Sequence, residues 1–324
     1  MLRNLLIMTA VALLPAAALA ANHEGKPAKK DAAGLHHDYR TFETGGKVAY
    51  GRIGDSYKAD LVMYLAGNQF MVMDDLIKDF QKRNPDIKSI YVETIPPGQI
   101  LKSQILRQGR INKQKTAKNP DLYASVNLNH LRTLAKKGLM KEYMIYTHNK
   151  LEIMVAKGNP KHIKGVEDLA RDDVVLSLPN PITEGIAKFY VMPMLKQNGL
   201  YEKLTDDRSC KRCWAVPKKT WFTARHHRET PYRIEHGKAD AGIVWTTEVV
   251  YAQSEGRPVE GVALPPKDNM ADKVGYAIGG LTNGRNPAQA QRFLEYLATD
   301  AAQAIYEKHG FIRATPKELE LKAL

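Results

Sequence analysis

The first half of the chain alternates short apolar runs with segments in which apolar residues recur every three or four positions. Apolar runs of strand length occur at residues 60–65, 89–95 and 121–125. Each is followed by a segment with helical spacing, at residues 70–80, 99–109 and 128–137. A strand, a short turn and a helix repeated three times is typical of βαβ units. The pattern therefore predicts a parallel sheet with helices on both faces, and the loops after its strands share one edge.

The second half continues the α/β pattern with wider spacing. Further strands are predicted at residues 150–156, 174–178, 239–245 and 274–278. Residues 287–309 are predicted to form one amphipathic helix that begins at Asn286-Pro287 and ends before Gly310. We therefore expect two α/β units and a separate C-terminal helix.

The N-terminus has the pattern of an export signal. Arg3 precedes an apolar stretch, and Ala18-Leu19-Ala20 matches a signal-peptidase cleavage site. The apolar stretch is shorter than the roughly 20 residues needed to span a bilayer, which disfavours a membrane anchor. We predict a signal peptide at residues 1–20, a flexible leader containing His and Lys at residues 21–57, and a protein exported to the periplasm.

Composition narrows the class of function. The chain has 324 residues, of which 44% are hydrophobic and 26% charged, and this excludes a disordered or collagen-like chain. The formal net charge is +13, which favours anionic partners, although export argues against nucleic acid as the partner. The sequence has no H-E-x-x-H segment and no Ser/His/Asp or Cys/His arrangement with a supporting motif. We therefore predict neither an enzyme nor a cofactor.

Four stretches carry a resemblance to a known family. They lie at residues 121–125, 146–160, 237–245 and 292–300. In their order and spacing they resemble the molybdate- and tungstate-type periplasmic solute-binding proteins of ABC importers, which are type II binding proteins. The resemblance extends from about residue 58 to the end of the chain.

This resemblance implies an α/β fold of two lobes, with mixed sheets flanked by helices and a ligand cleft between the lobes. Lobe I is expected at residues 58–146 and 285–324 and lobe II at residues 147–284, with residues 151–156 and 274–278 as crossover strands. The resemblance further implies that a small inorganic oxyanion, similar to molybdate or tungstate, is captured by hinge closure and delivered to an inner-membrane ABC permease. We expect a monomer.

The resemblance also places the oxyanion against four loops that open helices, where hydroxyls and backbone N–H groups donate. The hydroxyl ligands usual in the family are replaced here. The corresponding residues are Gly67, Asn68, Gln69, Gly98 and Gln99 in lobe I, and Thr183, Glu184, Trp245 and Thr246 in lobe II. The amides of Asn68 and Gln69 and the threonine hydroxyls can donate to an anion. The structural alternatives are a helix cap at Asn68, turns at residues 97–98 and 181–185, and a core position for Trp245.

Two further segments suggest chemistry. Arg225 and Arg228 are three residues apart and can clamp an anion if their segment is helical, with a solvated basic helix as the alternative. Cys210 and Cys213 form a C-x-x-C pair. In an exported protein a local disulfide is the simplest state for this pair, while metal binding and a redox role are the alternatives.

Two other functions remain open at this point. The lost hydroxyls and the His and Cys content fit a binding protein for a metal cation or a metal complex. Its candidate ligands are His148, His226, His227, Glu184, Glu248 and Tyr251. The same fold can also serve as a receptor component that presents its ligand to a membrane sensor.

Overall fold

The computed structural model describes residues 38–111, 114–206, 220–223 and 228–324. The predicted signal peptide, the cysteine pair Cys210 and Cys213, and the segment Arg225, His226 and His227 lie outside these ranges. Within the described ranges, no helix is long and apolar enough to cross a membrane.

The secondary structure is numbered in chain order. The strands are β1 (Tyr39–Glu43), β2 (Lys47–Tyr50), β3 (Leu61–Ala66), β4 (Ser89–Ile95), β5 (Arg110–Ile111), β6 (Gln114–Lys115), β7 (Leu122–Ser125), β8 (Glu142–His148), β9 (Leu151–Ala156), β10 (Leu176–Leu178), β11 (Thr220–Phe222), β12 (Ala241–Trp245), β13 (Val259–Ala263), β14 (Gly275–Gly280), β15 (Ile312–Arg313) and β16 (Lys322–Ala323). The α-helices are α1 (Met73–Arg83), α2 (Pro97–Gln99), α3 (Leu128–Ala135), α4 (Met192–Gln197), α5 (Tyr201–Thr205), α6 (Glu229–Glu235), α7 (Thr246–Ser254), α8 (Pro266–Asn269), α9 (Pro287–Leu297) and α10 (Asp300–Lys308). Short 3-10 segments lie at Ile53–Tyr57, Gly67–Val72 and Val166–Ala170, and π-helical segments at Ile100–Gln108 and Ala187–Val191.

The larger sheet contains the three βαβ strands that the sequence predicts. In the described part of the chain its order is β15-β8-β14-β7-β3-β4-β1-β2, and β16 also pairs with β8. Strand β3 runs parallel to both β4 and β7, because the helix after each strand carries the chain back across the sheet. The mixed α/β class predicted from the sequence is thereby confirmed.

The smaller sheet forms a second unit. Its order is β11-β10-β12-β9-β13, with β10 parallel to β11 and β12, and β9 antiparallel to its neighbours. We call the unit of the larger sheet lobe I (residues 38–148 and 275–324) and that of the smaller sheet lobe II (residues 151–263). Two connections join them, at residues 149–150 and 264–274. Lobe II thus ends before β14 and not at residue 284, since β14 pairs with β7 and β8 of the larger sheet.

The described part of the predicted leader is not a free extension. Strand β1 pairs antiparallel with β4 and with β2, so residues 39–50 extend the larger sheet, and the 3-10 segment at Ile53–Tyr57 follows. Phe42 lies in the core of lobe I, and Arg40 on the same side of β1 is also buried. A charged residue at a buried strand position breaks the apolar alternation, and this hid the strand from sequence analysis.

The predicted single C-terminal helix is two helices. α9 ends at Leu297 and α10 begins at Asp300, because the hydroxyl of Thr299 accepts a hydrogen bond from the backbone N–H of Ala302 and caps the second helix. The break lets both helices pack on α1 of lobe I. There the ring of Phe80 meets that of Phe293 edge to face at 5.0 Å.

Candidate functional site

The candidate site lies where strands of both lobes end. β3, β4 and β7 are parallel in lobe I, and β10 and β12 are parallel neighbours in lobe II, so the loops that follow each set share one edge of their sheet. The two edges meet. The ring of Phe70 in lobe I packs edge to face against Tyr251 in lobe II at 4.9 Å, and the Tyr190 hydroxyl of lobe II donates to the carbonyl of Val126 in lobe I at 3.4 Å.

Gly67 opens the first loop, directly after β3. A Cβ atom at this position would lie 3.3 Å from the backbone carbonyl carbon of Ile95 and 3.5 Å from Nη2 of Arg228. Glycine therefore allows the backbone of the loop to approach both the end of β4 and an arginine from the other lobe.

Asn68 is buried and links the lobes through a tyrosine. Its amide Nδ2 donates to the hydroxyl of Tyr276, which also accepts from Nδ2 of Asn149 at 3.2 Å. The same nitrogen of Asn149 lies 3.1 Å from the hydroxyl of Thr247 in lobe II. Burial raises the pKa of Tyr276 well above its usual value, so the phenol stays protonated. Asn68 therefore belongs to a polar chain through the hinge rather than to an open anion site.

Gln69 points into the core of lobe I. Its Nε2 donates to the hydroxyl of Tyr146, and its Oε1 accepts from the hydroxyl of Tyr306 at 3.2 Å. All three side chains are buried. The amide is satisfied within the lobe, which leaves Gln69 only its backbone for contact with a ligand.

The second loop is held by hydrogen bonds within its own turn and to β7. Gln99 is exposed, and its N–H donates to the carbonyl of Pro96 within the turn at 2.9 Å. The hydroxyl of Tyr123 donates to the carbonyl of Pro97 at 2.8 Å and fixes the loop on β7. A Cβ atom on Gly98 would lie 3.4 Å from Cε1 of His130, so this loop is closely packed on α3.

The third loop, in lobe II, is held by its carboxylate. Glu184 is buried, and its Oε1 accepts from the backbone N–H of Asn180 at 3.0 Å and from the hydroxyl of Thr223. It thus ties the loop after β10 to the end of β11. Thr183 is exposed, and its backbone N–H faces Oδ1 of Asn180 at 3.3 Å.

The fourth loop follows β12, and the hydroxyl of Thr246 in it is buried without a hydrogen-bond partner among the described residues. The indole of Trp245 is buried with its ring centre 5.2 Å from that of Tyr190, which is the core position foreseen as its structural alternative. The N–H of Thr246 donates to the carbonyl of Lys150 at 2.9 Å. Burial raises the pKa of Glu152, whose strand β9 pairs with β12.

Arg228 crosses from lobe II to lobe I. It directly precedes α6, and its guanidinium contacts three groups of lobe I. Nη1 lies 3.0 Å from the carboxylate of Asp38, Nη2 donates to the carbonyl of Gly67, and the guanidinium carbon lies 4.2 Å from the ring centre of Phe70. The side chain is only 6% exposed. Arg228 is therefore a predicted site residue whose positively charged side chain lies between the lobes.

A second buried arginine lies beside this contact. Nη2 of Arg40 donates to the carbonyl of Phe70 at 2.7 Å, and Nη1 pairs with Asp74 at 2.6 Å. Burial lowers the pKa of Arg40, the charge of Asp74 opposes the change, and the charge of Arg228 adds to the lowering. Two buried arginines, each paired with an aspartate, therefore lie beside Phe70 at the edge of lobe I.

The candidate metal ligands are dispersed in the described structure. Nδ1 of His148 lies 2.9 Å from the carbonyl of Val274 and Nε2 lies 3.1 Å from the carboxylate of Glu318, so this imidazole joins the hinge to the C-terminal segment. Glu248 accepts from the backbone N–H of Trp245 at the start of α7. Among residues 38–111, 114–206, 220–223 and 228–324, no group of three His, Cys, Asp or Glu side chains is arranged to hold a metal ion.

Four residues of this region were not predicted from the sequence to belong to the site: Asp38, Arg40, Asn149 and Tyr276. Asp38 and Arg40 fall in the stretch predicted to be a leader. Tyr276, the partner of Asn68, is 208 residues away along the chain. The partners of Arg228 are 161 and 190 residues away, so no local pattern connects these residues. The sequence feature that could have pointed to this region is Tyr276 within a predicted apolar strand, since a buried phenol needs a polar partner.

The two lobes and the two connections between them have the fold of type II periplasmic binding proteins. The chain matches the bacterial extracellular solute-binding protein family over residues 61–312, and it belongs to that family. As a member of this family it is a solute-binding protein.

Individual relatives are distant. A sulfate-binding protein of Synechococcus elongatus is 26% identical over 184 residues, which is 56% of this chain and 51% of that protein, so the chain spans about half of the relative's length. The periplasmic molybdate-binding protein of Azotobacter vinelandii superposes with a TM-score of 0.56 at 17% identity, covering 79% of this chain and 100% of that one. Iron-bound HitA of Pseudomonas aeruginosa gives 0.56 at 14% identity, covering 80% and 91%. These structures share the two-lobe fold.

Proposed function

We propose that the protein binds a small inorganic oxyanion, of the sulfate or molybdate kind, between its lobes and delivers it to an ABC importer. The observation that supports this most directly is the guanidinium of Arg228, which is buried at the lobe interface beside the first loop of lobe I. Guanidinium groups match tetrahedral and planar oxyanions because two parallel N–H donors meet two oxygens. A relative that is a sulfate-binding protein and a structural neighbour that is a molybdate-binding protein support this class of ligand.

The proposed site differs from the side-chain site suggested by sequence resemblance. The amides of Asn68 and Gln69 and the carboxylate of Glu184 are engaged in the hinge or within their own lobes. We therefore propose that the anion is held by Arg228 together with backbone N–H groups of the loops that begin at Gly67 and Gly98. The carboxylate of Glu184 accepts hydrogen bonds within lobe II and is not proposed as a ligand of the anion.

Export and delivery follow from the same proposal. The N-terminal residues 1–20 have the features of a signal peptide, and the structural neighbour from Azotobacter vinelandii is periplasmic by name. We propose a periplasmic protein whose partner is an inner-membrane ABC permease. In that setting lobe closure reports that the solute is bound.

Calorimetric titration of the purified mature protein tests the proposal. The series consists of sulfate, molybdate, tungstate, phosphate and ferric citrate, each titrated into wild type, Arg228→Ala and Arg292→Ala. Arg292 is the matched control because it pairs with Asp86 on the surface of lobe I, away from the lobe interface.

We expect at least one oxyanion to bind wild type and Arg292→Ala equally, and to bind Arg228→Ala roughly 30- to 300-fold more weakly, because a charged donor is lost. Binding of ferric citrate alone would contradict the oxyanion function and favour a metal complex as the solute. Equal affinity of wild type and Arg228→Ala for the oxyanion would remove Arg228 from the site.

A further inference from the structure

We infer that Asp38 is an internal counter-anion that occupies, at Arg228, the place taken by the external oxyanion when the ligand binds. The inference rests on the proposed function and adds a specificity-determining residue to it. It concerns a residue just before β1, outside the stretch 61–312 that matches the family.

The geometry singles out this carboxylate. Oδ1 of Asp38 lies 3.0 Å from Nη1 of Arg228, and the two side chains are 15% and 6% exposed. Asp38 belongs to lobe I and Arg228 to lobe II, so the ion pair spans the lobes. The other described ion pairs with similarly low exposure, such as Arg233 with Glu229, lie within one lobe.

Because both charges are largely removed from water, the Asp38–Arg228 ion pair acts as a latch, that is, it stabilises the contact between the lobes when no ligand is bound. A charge that is removed from water and then loses its partner is strongly destabilised, so the removal of one partner of a buried pair is costly. Arg228 also stacks on Phe70 and donates to Gly67, so its position is fixed by lobe I. Without a counter-anion, this contact between the lobes is no longer favourable. Asp38 therefore supplies the negative charge that lets the lobes meet in the absence of ligand.

Ligand binding is then an exchange of one anion for another. An incoming oxyanion that replaces the carboxylate keeps Arg228 compensated, while a neutral solute of the same size leaves a buried charge without a partner. The exchange selects for anions that bind the guanidinium better than a carboxylate held in place by its own chain. It also lowers the observed affinity, because the ligand must first displace Asp38.

Two measurements on Asp38→Asn test this inference, with Asp86→Asn as control. Asparagine keeps the size of the side chain and removes its charge. Asp86 forms an aspartate–arginine pair with Arg292 that lies within lobe I, so its loss should not affect the lobe interface. The first measurement is small-angle X-ray scattering of each protein without ligand. The second is calorimetric titration with the oxyanion that wild type binds most tightly in the series above.

We expect ligand-free Asp38→Asn to scatter as a more open particle than wild type and Asp86→Asn, and to close when the oxyanion is added. We expect its dissociation constant to be about tenfold lower than that of wild type, because no internal anion has to leave. Circular dichroism that matches wild type establishes that the variant is folded.

The results separate two failures. Ligand-free scattering identical to wild type overturns the latch, and so does weaker oxyanion binding by Asp38→Asn, because Asp38 would then position Arg228 for the ligand instead of competing with it. If no oxyanion binds wild type or Asp38→Asn, the proposed function fails and the exchange fails with it. If wild type binds but Asp38→Asn binds equally well, only the inference about Asp38 fails.

Discussion

Two groups of hydrogen-bonded polar side chains, most of them buried, join different parts of this protein. The cleft group comprises Asp38, Asn68, Asn149, Arg228 and Tyr276, and its contacts run from lobe I through the hinge to lobe II. The sheet group comprises Tyr91, Glu93, Gln104 and Thr116, and all of its members lie in lobe I. The comparison separates polar contacts that hold two lobes together from those that hold one lobe together.

The sheet group is centred on the carboxyl of Glu93, which has no counter-charge among its contacts with described residues. Nε2 of Gln104 donates to Oε1 of Glu93, and the hydroxyl of Tyr91 lies 3.5 Å from Oε2. The hydroxyl of Thr116 donates to the other end of the Gln104 amide at 2.8 Å. Burial raises the pKa of Glu93 to about 8, although the hydrogen bonds from Gln104 and Tyr91 oppose the rise. The group is therefore neutral at moderate pH.

The cleft group, in contrast, keeps its charges. Arg228 is compensated by Asp38 across the lobe interface, and the neutral Asn68–Tyr276–Asn149 chain lies beside it. A neutral group inside one lobe contributes to the stability of that lobe. A charged pair between lobes instead biases the equilibrium between open and closed forms, and an external ion can exchange with it.

The largest expected effect is on the free energy of unfolding when the carboxyl of Glu93 in the sheet group is removed. Because the pKa of Glu93 is raised from 4.5 to about 8 on folding, its contribution to stability is fully present below pH 4.5 and is lost as the pH rises through 8. Glu93→Gln removes this titration. We expect the free energy of unfolding of the variant to exceed that of wild type by about 2–4 kcal/mol at pH 8, and to differ little at pH 4.5.

Urea unfolding of both proteins between pH 4.5 and 9 measures this difference. Glu142→Gln is the control, because Glu142 is an exposed glutamate on β8 of the same sheet and should leave the pH profile unchanged. Parallel pH profiles for wild type and Glu93→Gln would show that folding does not shift the pKa of Glu93. Oxyanion affinity should be the same in all three proteins.

A smaller effect is expected from the neutral part of the cleft group. Tyr276→Phe removes the hydroxyl that accepts from Asn68 and Asn149 and leaves two buried amides short of a partner. We expect a loss of about 2 kcal/mol in the free energy of unfolding. Thermal unfolding monitored by circular dichroism gives the value. Tyr57→Phe, which removes an exposed hydroxyl bonded to the carbonyl of Thr116, should cost much less. Equal losses in the two variants would argue against the polar chain through the hinge.

The smallest effect is expected at Gly67. A methyl group there would press on the carbonyl carbon of Ile95 at 3.3 Å and on Nη2 of Arg228 at 3.5 Å. We expect Gly67→Ala to weaken oxyanion binding by about three- to tenfold with little change in the midpoint of unfolding. Gly54→Ala is the matched control, since nothing lies within 4 Å of its added methyl. Unchanged affinity in calorimetry would mean that the first loop does not approach the anion closely.

The fold could be predicted from sequence further than the site. The apolar runs that became β3, β4 and β7 are local, and local periodicity fixes their order and direction. Strand β1 was not predictable, because Arg40 occupies a buried position where an apolar residue is expected. The break between α9 and α10 depends on one capping threonine, Thr299, inside an otherwise continuous helical pattern.

The loops of the site were found because they follow strands, but the roles of their side chains were not. Asn68 was expected to donate to a ligand, whereas its amide donates to Tyr276, a residue 208 positions away. We therefore expect Asn68→Ala to lower the free energy of unfolding, and a loss of ligand affinity in this variant would not by itself place the side chain of Asn68 in the site. Arg228 was identified from its charge and its spacing from Arg225, and its partners Asp38 and Gly67 could come only from the three-dimensional structure.

The most direct test of the central claim is a crystal structure of the protein with its tightest-binding oxyanion, with molybdenum or tungsten located by anomalous scattering where the anion contains it. We predict an anion between the lobes with an oxygen about 2.7–2.9 Å from Nη1 of Arg228, and the carboxylate of Asp38 displaced from that nitrogen. An anion bound elsewhere, with Asp38 still paired to Arg228, would contradict the account.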